Sequence, residues 1–177
     1  MCGLAVAVIL VFYPKPYFPS LLAGLLVSYQ ILLGIGIGGL YWFASQIGYK
    51  LAANRQSTQS IVENYSRLDL SGWNPLWIAS AAGFSEELLF RGALQPLLGI
   101  WVTSAIFVLA HIRAYRLNTF NKRVLVQALA LFAISVVFGY VARYVGLVTA
   151  ILVHISMDVA GLYTVRRISP VQSTAAE

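Results

Sequence analysis

The chain has 177 residues, of which 59% are hydrophobic and only 10% charged. A soluble domain carries about 25% charged residues, so this composition, with a mean hydropathy of +0.78, excludes an ordinary soluble fold and describes an integral membrane protein. The net charge of +6 would point to nucleic acid in a soluble protein, but here the basic residues fit loop anchoring at a lipid bilayer, and no nucleic-acid partner is expected.

In chain order, Met1 to Phe12 is apolar but too short to span, and Pro14, Pro16 and Pro19 interrupt the residues after it. It has neither the basic start nor the small-residue cleavage site of a signal peptide, so it reads as the end of a helix whose true start lies upstream. The single cysteine, Cys2, allows no intramolecular disulfide and no cysteine-based metal cluster. Ser20 to about Ser45 is a spanning helix, uncharged throughout, with a glycine run at 34–39 that lets a neighbouring helix approach closely. Residues 46–72 carry Lys50, Arg55, Glu63, Arg67 and Asp69 and form an extramembrane loop, in which Leu51, Ile61, Val62, Tyr65 and Leu68 predict a short interfacial helix. Trp73-Asn74-Pro75 opens the next helix, which ends near Gln95-Pro96. A tight reversal leads into Leu97 to Ile112, a charged loop comes next, and Val124 to Ala142 spans again. Arg143 sits in a short turn before the last span, Val145 to Val165. The fold class is therefore all-α, a polytopic transmembrane bundle of about five to six membrane helices. Its parts are an N-terminal membrane segment and loop over 1–72, a core bundle over 73–165 and a polar tail over 166–177.

The loop at 46–72, the loop at 113–123 and the tail hold nine of the twelve Lys and Arg residues, while Lys15 and Arg143 fall on the opposite side. By the positive-inside rule the nine-charge side is cytoplasmic in a bacterial inner membrane, or stromal in a plastid.

Charge inside the apolar stretches is where chemistry is expected, because an ionised side chain at membrane depth costs at least ~2.5–3.5 kcal/mol. Ser85-Glu86-Glu87-Leu88-Leu89-Phe90-Arg91 holds three such groups. Glu87 and Arg91 are four apart, one helical turn, and form a structural ion pair. Glu86 lies roughly 100° round the helix and points elsewhere. The bland alternative is one structural ion cluster made of all three. Both histidines of the chain, His111 and His154, also lie in apolar helices, and His154 shares a helix face with Asp158. Glutamate, two histidines and aspartate on three helices are the inventory of a water-activating hydrolytic site.

Glu86-Glu87-x-x-x-Arg91, Phe107-x-x-x-His111 and His154-x-x-x-Asp158, in that order, resemble the CPBP family of intramembrane proteases, the CAAX-protease, bacteriocin-processing and abortive-infection family. The resemblance covers about residues 73–165. It implies an intramembrane endopeptidase acting on a membrane-embedded or membrane-associated peptide or protein, with the active site open to the cytoplasm. Glu86 and His111 match the catalytic pair that activates water, and His154 matches the histidine of the last motif. Asp158 stands where many members have Asn, so it is a metal ligand, a protonated donor or an orienter of His154. The resemblance leaves two routes, a divalent metal on Glu86, His111, His154 and Asp158, zinc by donor chemistry, or a metal-free one. Other classes remain open: a non-catalytic membrane scaffold or immunity-type protein, and a proton-coupled transport component. For one site to form, the helix bearing His111 is predicted to continue past Ile112 through Arg113 and Arg116, so that all four groups converge on one polar cavity.

Overall fold

A computed structural model describes residues 1–13, 17–52, 68–115, 117 and 121–168. The described residues are helical apart from short turns, with no strand among them. The helices are α1 (Cys2–Phe12), α2 (Val27–Ala52), α3 (Asn74–Glu87), α4 (Gln95–Ala110), α5 (Lys122–Tyr144) and α6 (Leu147–Ile168). A 3-10 turn, Phe18–Leu22, precedes α2, and a π-helical segment, Leu88–Leu94, joins α3 to α4. Val27–Gly48, Asn74–Ala110, Val124–Tyr144 and Leu147–Arg167 are long and apolar enough to cross a membrane. The chain is a multi-pass, all-α membrane protein.

Two compact units are present, each built from separated stretches of sequence: residues 1–32 with 85–150, and residues 33–84 with 151–177. The first holds a helical hairpin. Phe90 and Phe107 meet edge to face with ring centroids 4.9 Å apart, although seventeen residues of straight helix would separate them by ~25 Å. The chain therefore doubles back between them. Gly99 is the place, with φ 77° and ψ 168° inside an otherwise helical run, a conformation open to glycine because it has no Cβ. The expected reversal thus falls at Gly99 and not at Gln95-Pro96. Pro96 sits in the first turn of α4, where its missing N–H is harmless to the helix it starts.

That proline does leave a mark upstream. In α-helical register the Gly92 carbonyl would accept from residue 96, which has no N–H to give. The π-helical turn, in which the Gln95 amide reaches the Phe90 carbonyl, and a side chain from outside together resolve this. The Tyr17 hydroxyl donates to Gly92 O at 2.9 Å, and the Tyr13 hydroxyl donates to Ala93 O at 2.7 Å. The two phenol rings stack at 4.0 Å. Burial, with Tyr17 adding to it, pushes the Tyr13 phenol above its ordinary range, so it remains a donor. Below them Ala5 and Ile9 of α1 pack into a core with Leu89, Phe90, Ala93 and Phe107. The N-terminal segment is thereby fastened onto the charged helix.

α5 closes this unit. Arg91 reaches Ser135, and Gln95 donates to Gly139 O at 2.9 Å. Both contacts join residues forty-four apart, so the outgoing limb of the hairpin and α5 run parallel. Arg143 lies in the last turn of α5, not in the turn after it, which is made at Val145 and Gly146. Gly146 has φ 140°, and a Cβ there would overlap the Gln30 amide. Gln30 is fully buried, donates to Leu25 O at 2.8 Å and accepts from Val148 N at 3.2 Å, tying the start of α2 to the start of α6. That tie explains why α2 begins at Val27 and not near Ser20: residues 18–26 are spent on the 3-10 turn and the connection.

The second unit packs through glycine. A Cβ on Gly34 would meet Leu152, on Gly38 Ser156 and on Gly83 Ile155, so α2 and α3 each lie close to α6. Leu70, Ala79, Leu162 and Val165 form its core. Arg166 donates to Gly72 O at 3.0 Å, and Arg167 bonds Gln46. α2 remains helical to Ala52, past the boundary expected near Ser45. The interfacial helix expected around Ile61, Val62 and Tyr65 lies outside the described residues, as do Arg116 and the tail beyond Ile168.

Candidate active site

The hairpin register decides which polar groups meet. Residues equidistant from its apex face each other, and Glu86 and His111 lie thirteen and twelve positions from Gly99. His111 Nε2 is 3.4 Å from Glu86 Oε2, and both side chains keep a small exposed fraction. α4 ends at Ala110, and residues 111–115 form hydrogen-bonded turns, with the Tyr115 amide donating to His111 O at 3.0 Å. The expected helical extension through Arg113 is absent. It is not required, because the depth of His111 is set by distance from the hairpin apex and not from the end of its own helix.

The imidazole is held on two sides. His111 Nδ1 lies 2.8 Å from the Phe107 carbonyl oxygen. A carbonyl can only accept, so Nδ1 carries the hydrogen. The ring also stacks on Phe107 at 4.1 Å. Nε2 is then left facing the Glu86 carboxylate.

Glu87 has a different surrounding. Its Oε2 lies 3.5 Å from Arg91 Nε, with both side chains almost wholly excluded from solvent. Arg91 Nη2 donates to the backbone oxygen and to the hydroxyl of Ser135, each at 3.2 Å. The guanidinium carbon lies 5.1 Å from the Phe107 ring, within cation–π range. Arg91 and His111 therefore share one aromatic neighbour. Phe107 appears in the sequence only as an apolar residue one turn before His111, and Ser135 carries no signal at all.

His154 and Asp158 belong to the second unit. His154 Nε2 lies 3.6 Å from Asp158 Oδ2, one turn along α6. The structure thus brings together Glu86 with His111, Glu87 with Arg91, and His154 with Asp158. Glu86 with His111, and His154 with Asp158, are each a pair of metal-capable side chains, fewer than the three or four protein ligands of a zinc centre.

A protein-family model describing type II CAAX prenyl endopeptidase Rce1-like proteins matches residues 70–160, just over half of the chain, and takes in Glu86, His111, His154 and Asp158. Comparisons with curated proteins and with solved structures gave no match. A helical hairpin inside the membrane, carrying a carboxylate opposite an imidazole within the matched residues, accords with that assignment: the chain belongs to the Rce1-like family of type II CAAX prenyl endopeptidases.

Proposed function

We propose that the chain is an intramembrane endopeptidase whose water-activating pair is Glu86 and His111. The observation that carries this reading is their 3.4 Å approach, with the His111 ring fixed by Phe107 and the pair partly open. The ionised Glu86 accepts a proton from water as the water oxygen bonds to the scissile carbonyl carbon. His111, its Nδ1–H held on Phe107 O, orients that water through Nε2 or, when protonated, donates to the developing oxyanion. The protonated Glu86 then gives its proton to the leaving nitrogen as the C–N bond breaks. A peptide of a membrane-associated or membrane-embedded protein is the substrate class that such a position in the bilayer favours.

His154 and Asp158 are assigned to the same hydrolysis on the resemblance of their motif. An ionised Asp158 repels an oxyanion, so its part is to orient His154 or, when protonated, to donate. A divalent metal, zinc by donor chemistry, would draw on these four side chains and act as a Lewis acid; the proton transfers from water to Glu86 and on to the leaving nitrogen do not require it. Metal analysis of active protein, wild type beside His111→Ala, tests that alternative. Orientation follows the basic residues: the loop after His111 faces the cytoplasm, of a bacterial inner membrane or its plastid equivalent. The test of the proposal is cleavage of a peptide by the purified chain in detergent, lost on Glu86→Ala. A folded Glu86→Ala protein that still cleaves at the wild-type rate would refute it.

A further inference from the structure

The apex end of the hairpin holds a cavity that hydrolysis does not use. Its volume is about 340 Å³, and Tyr17, Ser20, Arg91, Gln95, Gly99 and Arg143 are among the residues around it. That volume lies near the lower end of the ~300–1,000 Å³ of small-molecule sites. Glu86 and His111 are a dozen residues from Gly99, or ~18 Å along a helix, so the cavity and the catalytic pair lie at different depths.

The cavity is basic. Arg91 and Arg143 are among its lining residues and no carboxylate is. Glu87 balances one of the two, which leaves the charge of Arg143 uncompensated by any lining residue. Arg91 is 5% exposed, and its Nη1 has no hydrogen-bond partner among the described residues. A buried charged donor without an acceptor is unfavourable, and an anion's oxygen would relieve it. The remaining donors are engaged: the Tyr17 hydroxyl on Gly92 O, the Ser20 hydroxyl on Tyr17 O and the Gln95 amide on Gly139 O. Arg143 is exposed at the end of α5, with its guanidinium 5.7 Å from the Tyr144 ring. Exposed Tyr140 and Tyr144 stack on one another at the same end of α5, as aromatic side chains do at the level of lipid headgroups.

We propose that this cavity binds a phosphate-bearing anion, with the exposed Arg143 as its main cationic contact and the buried positive charge of Arg91 behind its wall. The phosphate is that of an acidic phospholipid headgroup or is free in solution, and the test separates the two. Full-length protein in a nonionic maltoside detergent is titrated with short-chain phosphatidylglycerol, short-chain phosphatidylcholine or inorganic phosphate, and the thermal midpoint is followed. Phosphatidylglycerol is expected to raise the midpoint saturably, and to do so at lower concentration than the zwitterionic lipid. Removing one charged contact by Arg143→Gln should weaken that binding about tenfold or more. Ala142→Leu, which narrows the cavity without touching charge, should weaken it too, while Arg167→Gln should not. Inorganic phosphate as effective as the lipid would assign the site to soluble phosphate. No saturable response to any phosphate ligand, or an equal loss in Arg167→Gln, would overturn the proposal.

Discussion

The middle of the hairpin and its open end each set a carboxylate beside a basic side chain, and the two settings differ in what they allow. At Glu87 and Arg91 the side chains are 0% and 2% exposed, Ser135 takes two of the guanidinium's bonds, and Phe107 covers its face. At Glu86 and His111 the exposures are 16% and 13%, and the histidine leads into a turn, not a helix. Removing either partner of a closed, desolvated pair leaves an uncompensated buried charge. A pair with access to water can exchange protons with it. Glu86 and Glu87 are chain neighbours, so a step of one residue around the helix separates a closed ion pair from a partly open one.

His111→Ala should produce the largest change. With the imidazole gone, Glu86 loses the group that orients its water, and the cleavage rate should fall about 10²–10⁴-fold while the thermal midpoint shifts little. A variant that melts far below wild type would instead make His111 part of the buried framework and erase the contrast between the two pairs.

Arg91→Ala acts on the other side of the comparison. It removes the cation beside the buried Glu87 carboxylate and should cost about 3–5 kcal/mol of stability, read by chemical or thermal unfolding in detergent. A loss below about 1 kcal/mol, typical of solvent-exposed pairs, would mean that water reaches the middle of the hairpin as well.

Tyr17→Phe probes how the hairpin is held. It removes the donor to Gly92 O and should destabilise by about 1–3 kcal/mol, the range for one buried acceptor left unpaired. Activity of the folded fraction should stay close to wild type, because Tyr17 touches neither Glu86 nor His111.

Parts of this arrangement are written in residue spacing, and parts are not. A separation of four fixes Glu87 above Arg91 and His154 above Asp158 on any helix, and the next residue round necessarily points away. Composition alone gives helices that cross a membrane. The position of the turn between Glu86 and His111 is less legible, because Pro96 and Gly99 are both breakers. Tertiary contacts decided between them: Tyr13 and Tyr17 satisfy the carbonyls that Pro96 and the π-helical turn disturb, so the chain passes the proline and turns at the glycine. Nothing local to residues 13–17 announces that role. Counting depth from helix ends likewise misplaced His111, since its distance from a shared apex is what aligns it with Glu86.

The most direct measurement compares Glu86→Gln with Glu87→Gln in one purification, recording peptide cleavage and thermal unfolding for both. Glu86→Gln should melt near wild type and not cleave, because an amide cannot take a proton from water, whereas Glu87→Gln should melt well below wild type and cleave in proportion to its folded fraction. Equal destabilisation of the two, or cleavage retained by Glu86→Gln, would contradict the separate roles of the two carboxylates.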